Sequence, residues 1–507
     1  MLRMRSLALA LWVGCFLLSC GPAAPPPPPQ DPVSFIRADK GLEVVRQLTS
    51  DETEGRGLAG NGLSVAANYI AGRFAEAGLR PGGEGGGYFQ RVRLATSVKA
   101  QEKRNWVRFG EGPSRRSLKM GIEFVPLAVA ASDARASGRL VFVGYGITAS
   151  ELGYDDYAGV DVKGKIVVAM RYAPGSHLLE PASPHPGREP FPAAYEEIHV
   201  KAMNARAHGA AALIIFNGPR SVGAQEDPLI PLEGIWSRED IGIPVVQVIR
   251  PVLEELVGAD KILEMQQSIE SSFAPHSFAA AESVPEFKVQ TALEREFKDT
   301  ANVIGIVEGS DPVLKNEWVI VGAHYDHLGP CPDGKGFFPG ADDNASGVAA
   351  ISLVADGMAR ARPKRSVAFV AFAGKEPGLV GSTLFASKAP GKVVAMLNFD
   401  MVGRLRDGLL GIRGMNTSKA WPDFVTKANT EGLKVAPVRG HGPGDESSFI
   451  QAGVPALLLS TGLHPDYHTP RDTVDRVNCG GIETIARFAC RLTRALADAP
   501  TPPAFTR

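Results

Sequence analysis

The sequence predicts an α/β fold, a three-layer α/β/α sandwich around a mainly parallel sheet, in its C-terminal part. Short apolar runs recur at residues 318–323, 366–372, 393–398 and 455–459, the signature of strands covered on both faces. Helix-length segments at 346–360, 378–388 and 481–497 alternate with them, as parallel pairing through crossovers requires. A third observation concerns chemistry: imidazoles and carboxylates follow these runs, where strand C-termini place a binding site. Upstream, residues 65–78 space apolar side chains at helical intervals and stop at Gly78, with Ser64 as the expected N-cap.

At 507 residues the chain exceeds what one core organises, so two or three modules are expected. Hydrophobic residues at 44% and charged residues at 21% describe an ordinary globular composition. Lys and Arg (54) balance Asp and Glu (55) to a formal charge of −1, and no basic run marks a nucleic-acid partner.

The N-terminus reads as a targeting device. Arg3 and Arg5 precede an apolar stretch, 6–18, too short to span a bilayer. It ends in Leu17-Leu18-Ser19-Cys20-Gly21, which resembles the lipobox of bacterial lipoproteins. The resemblance implies cleavage after residue 19, lipidation of the Cys20 thiol and a membrane anchor in the bacterial envelope. Gly21 after the Cys would permit sorting to the outer membrane. The alternative is a plain secretory signal. Residues 20–33 then form a Pro-rich tether, with an unbroken run from Pro25 to Pro29. Cys331, Cys479 and Cys490 remain, an odd number without zinc-finger spacing, and read as free thiols.

The chemistry-bearing strings are Val-Gly-Ala-His324-Tyr-Asp326-His327, Gly-Ala-Asp342-Asp343-Asn, Gly-Lys375-Glu376-Pro-Gly, Asn398-Phe-Asp400-Met and Asp466-Tyr467-His468-Thr. Such clusters at strand ends are how an α/β enzyme assembles a metal centre. Their order, His, Asp, Glu, Asp, His, resembles the zinc peptidases of family M28, the aminopeptidase and glutamate-carboxypeptidase group. The resemblance implies two Zn2+ or similar ions held by His324, Asp342, Glu376, Asp400 and His468. Asp342 would bridge the ions, with a cis peptide to Asp343, and a metal-bridging hydroxide would attack the peptide bond of a peptide substrate. Asp326 is placed to orient His324 through the other ring nitrogen. Tyr467 is a candidate oxyanion donor.

Residues 34–125 and 286–500 would form the discontinuous peptidase domain, since 50–57 and 87–90 also resemble M28 enzymes. The segment 126–285 resembles the protease-associated (PA) domain, a mostly-β insert. Its His177, His185, His199, His208 and His276 lack paired carboxylate spacing and read as surface or packing residues.

Lys375 stands where the family has its general-base Glu. Three readings are open: the base is lost, leaving a slow enzyme or a metal-holding binding protein; a neutral lysine acts as base; or Glu446 substitutes for it, paired with Lys375. Glu446 follows Asp445, the acid matching the family pattern, and replaces a His. A glutaminyl-cyclase-like acyl transferase with one zinc is the further enzymatic alternative.

Overall fold

The computed structural model describes residues 31–506, except 59, 150–152, 177–190, 192, 222–224, 233–239, 332 and 439–443. The signal segment, Cys20, the Pro25–Pro29 run, His177 and His185 lie outside the described residues.

Strands Ser366–Phe372, Glu317–His324, Lys392–Phe399 and Ala456–Ser460 pair in parallel, in that spatial order. Every residue of the first and last of these is buried, as expected of strands covered on both faces. One face carries helices Ala38–Leu48, Gly347–Met358 and Cys479–Asp498, which share a core with Val321, Phe369 and Leu397. Gly347–Met358 is buried at every position, and apart from Ser352 and the ion-paired Asp356 its sequence is apolar. The other face carries Val380–Ser387 and Glu446–Gln451, whose Phe385 and Phe449 pack on Phe372. Three layers result. Cys331 and Cys490 are buried free thiols and Cys479 is half-buried.

The helix expected at 65–78 spans Gly62–Glu76, with Asn61 rather than Ser64 at its N-cap position. Gly62 explains the earlier start. A Cβ there would lie 1.9 Å from the Thr53 carbonyl oxygen, so only glycine lets the first turn pack on the preceding segment. Strands Leu409–Arg413 and Lys434–Pro437 extend the sheet beyond Ala456–Ser460. Sequence reading missed them because one is interrupted by Gly411 and the other is a short, largely exposed edge.

The insert has its own six-stranded sheet, with 140–143, 166–170, 212–216 and 245–248 parallel at its centre. Helices Ile198–Ala207 and Ala259–Ser272 accompany it, with separate cores on its two faces. A 21-residue strand, Phe287–Val307, joins insert and principal domain. Its first half pairs with 106–109 and 133–138, and its second half with 366–372. Phe89–Ala100 runs beside most of its length.

Arg56 locks the N-terminal segment beneath the site. It is fully buried and donates to the carbonyls of Leu48, Tyr325, Pro339 and Gly340, the last three at 2.8 Å. Burial pulls its guanidinium down to about 10, against the field of Asp343, Asp472 and Asp326. Arg56→Met strands these carbonyls and is expected to destabilise the fold by about 3 kcal/mol or more. The readout is the urea midpoint, and an unshifted midpoint contradicts the assignment.

Candidate metal centre

His324 is the last residue of its strand, and Lys375, Glu376, Asp400 and His468 lie in loops beyond the C-terminal ends of the others. Asp343 sits in the turn Ala341–Ser346 that leads into Gly347–Met358. These loops bring two donor groups together: His327, Asp343, Glu376 and His468, and His324, Asp343 and Asp400. His324 Nε2 lies 3.3 Å from Asp343 Oδ1 and 3.4 Å from Asp400 Oδ1. His468 Nε2 lies 3.0 Å from Asp343 Oδ2 and 3.5 Å from Glu376 Oε1. Donor atoms of a tetrahedron with bonds of about 2.0–2.2 Å stand about 3.3–3.6 Å apart, so both groups have the spacing of a zinc shell. His324 Nε2, His468 Nε2, Glu376 Oε1 and both Asp343 oxygens are buried without a hydrogen bond. Orphaned nitrogen and carboxylate donors at this spacing fit a divalent cation of the zinc type. His468 adopts φ 54°, and Met401 beside Asp400 adopts φ 59°, strained backbone of the kind that collects at functional sites.

Four expectations are corrected. The shared carboxylate is Asp343, not Asp342. Asp342 turns away, its Oδ1 accepting from Gly403 N–H (2.6 Å) and Ser346 Oγ (3.0 Å), with His464 Nε2 3.1 Å from its Oδ2. The cis peptide likewise joins Asp343 to Asn344. Second, the nearer partner of His324 Nδ1 is the Asp326 backbone oxygen at 3.1 Å, the Asp326 carboxylate lying 3.8 Å from that nitrogen and accepting the N–H groups of Lys375 and Glu376, each at 3.1 Å. Asp326 thus shapes the loop that presents those two residues. Third, Glu446 is not a free base. Arg413 holds its Oε1 at 2.5 Å and Asn398 donates to its Oε2 at 3.0 Å. Fourth, Glu446 does not pair with Lys375, whose ion pairs are with ligand carboxylates.

Lys375 Nζ lies 3.6 Å from Asp400 Oδ2, 3.8 Å from Glu376 Oε1 and 3.9 Å from Asp343 Oδ1. Burial favours a neutral amine, but these three carboxylates hold the ammonium well above its usual range. Reciprocally, against the effect of burial, Lys375 holds Asp343 and Glu376 well below theirs. Tyr467 stacks on His468 with ring centroids 3.8 Å apart. Asp445 is fully buried, and burial pushes its carboxyl up to about 7.

Two further contributions escaped the sequence reading. His327 enters the four-residue group, and the His324-x-x-His327 spacing was its available signal. From the insert, half-buried His199 sits within the field of Glu376 and Lys375, and burial pulls its imidazole down to about 4. Neighbouring Glu197, exposed at the surface, also lies within the field of His468 and Glu376. Only the fold brings these residues near the centre. His208 instead stacks on Tyr157, as a packing residue does.

The corrected register gives a prediction. Asp343→Asn removes the carboxylate common to both groups and should lose all bound zinc by elemental analysis. Asp342→Asn should keep it. The reverse pattern would restore Asp342 as the bridge.

Residues 302–493 match the model of peptidase family M28, and residues 128–256 match that of the PA domain. Aminopeptidase YwaD of Bacillus subtilis is 26% identical over 292 residues, 55% of this chain and 55% of that protein. Leucine aminopeptidase 2 of Trichophyton equinum is 29% identical over 246 residues, 41% of this chain and 48% of that protein. The matches thus span about half the length of these curated relatives. Among solved structures, an aminopeptidase from Aneurinibacillus sp. strain AM-1 shares the fold with a TM-score of 0.52 at 20% identity, over 94% of this chain and 98% of that one. Residues 302–493 of this chain are therefore similar to peptidase family M28, and residues 128–256 to the PA domain.

Proposed function

We propose that the protein is a zinc-dependent exopeptidase of aminopeptidase type, acting on peptides with two ions at the centre. The observation that carries this reading is the pair of donor groups sharing Asp343 at tetrahedral spacing. The names of the relatives support the choice of aminopeptidase. When bound, the ions supply Lewis acidity toward a scissile carbonyl and lower the pKa of a water. The chain's own residues do the rest. Asp326 fixes the Lys375–Glu376 loop through two backbone bonds, and Tyr467, stacked on His468, offers a hydroxyl to the developing oxyanion.

Lys375 supports a second reading, a metal-holding domain with much reduced hydrolysis. A charged ammonium accepts no proton, and the position that relays protons in the family is then silent. A general base contributes about 10²–10⁴ in rate. Lys375→Glu should therefore raise kcat on aminoacyl nitroanilides by about 10²-fold or more, at unchanged zinc content. Chelation should abolish hydrolysis, and amino-blocked peptides should resist it. Zinc-loaded wild type and Lys375→Glu both inert toward free-amino peptides would refute the peptidase reading.

We further propose lipid anchoring through Cys20 in the envelope of a bacterium, on the strength of the sequence alone. Wild type should partition into detergent and Cys20→Ser into the aqueous phase. Wild-type protein with an unmodified N-terminus in the aqueous phase would overturn it.

A further inference from the structure

The five donors expected from the sequence leave one imidazole unexplained. His327 is 3% exposed, and neither ring nitrogen has a hydrogen-bond partner. A buried imidazole left in this state loses the hydration of two polar atoms with nothing in return. Its Nδ1 faces two ligand carboxylates, 3.5 Å from Glu376 Oε1 and 3.7 Å from Asp343 Oδ2. The matching distances from His468 Nε2 are 3.5 and 3.0 Å. Two of these four edges, at 3.5 Å, match a zinc tetrahedron and the others, at 3.0 and 3.7 Å, lie close to it, while the His327 and His468 rings stand at 72° to each other, clear of stacking.

We propose that His327 is a metal ligand, so that the two subsites are unequal: one closed by four protein donors, the other held by three. This rests on the metal-centre reading above. Closed four-donor zinc sites are structural in character, whereas catalytic sites keep a position open. The open position here belongs to the subsite of His324, Asp343 and Asp400. Lys375 stands against both subsites, 3.6 Å from Asp400, 3.8 Å from Glu376 and 3.9 Å from Asp343. The closed subsite keeps its ion, and the open one exchanges.

Chelator competition on the zinc-loaded protein, followed by elemental analysis, tests this. Wild type should release zinc in two steps, the second needing at least about 10-fold more chelator. His327→Ala should weaken the tighter step by about 100-fold or more, on the scale that loss of even outer-shell partners approaches. Cobalt-loaded wild type should show the intense visible bands of a four-coordinate ion, and these should weaken in His327→Ala. His327→Gln, which preserves volume and polarity, guards against misfolding and should give the same loss at an unchanged unfolding midpoint in chelator. Two-step release unaltered by both His327 variants would overturn the proposal. Wild type that binds no zinc would remove the metal-centre reading itself.

Discussion

Mutual repulsion among buried carboxylates is the constraint around which the rest of the principal domain is arranged. Asp343, Glu376 and Asp400 place three anionic groups together, with further buried acids at Asp326, Asp342, Asp445 and Asp472. Two unit charges about 4 Å apart repel by about 4 kcal/mol at the effective dielectric of a protein. No hydrophobic core tolerates several such terms unless cations answer them. Within the chain the answer comes from Lys375 against the ligands, Arg404 against Asp472 and Asp466, and Arg413 against Glu446. The remaining deficit sits at the donor groups, which marks them as a candidate cation site.

The frame holding these charges is mostly backbone. Arg56 spends its donors on carbonyls from three separate segments. Asp472 Oδ2 accepts the N–H groups of Asp342 and Asp343 at 2.9 and 3.0 Å, and Asp326 does the same for Lys375 and Glu376. Charged side chains therefore orient peptide groups, and the oriented loops aim the ligands. Substituting a framing residue would move several donors at once, since each one fixes a loop and not a single ring.

Much of this was legible in the sequence, for identifiable reasons. The four central strands are apolar throughout, so their burial is written in composition, and His324, Glu376, Asp400 and His468 follow them closely. What failed depended on direction. Asp342 and Asp343 are adjacent acids, and only the turn into the following helix decides which faces the histidines. Asp326 lies two residues from His324, yet its carboxylate serves the next loop while its carbonyl serves the ring. His199 was unreadable for a different cause: more than a hundred residues separate it from Lys375, and the insert's packing alone brings their charges within range. Gly62 shows the same limit on a small scale, its role set by a carbonyl nine residues upstream.

The strand Phe287–Val307 has a mechanical meaning. It is a single beam of the larger sheet, laddered to 106–109 and 133–138 at one end and to 366–372 at the other, and among the described residues it forms no ladder with the insert's six-stranded sheet. With Phe89–Ala100 bonded alongside, tilting the insert means bending a two-stranded ribbon rather than rotating about a linker. The register slips between Glu296 and Phe297, and such bulges bend more readily than regular ladder. Compliance therefore concentrates at one point along the ribbon.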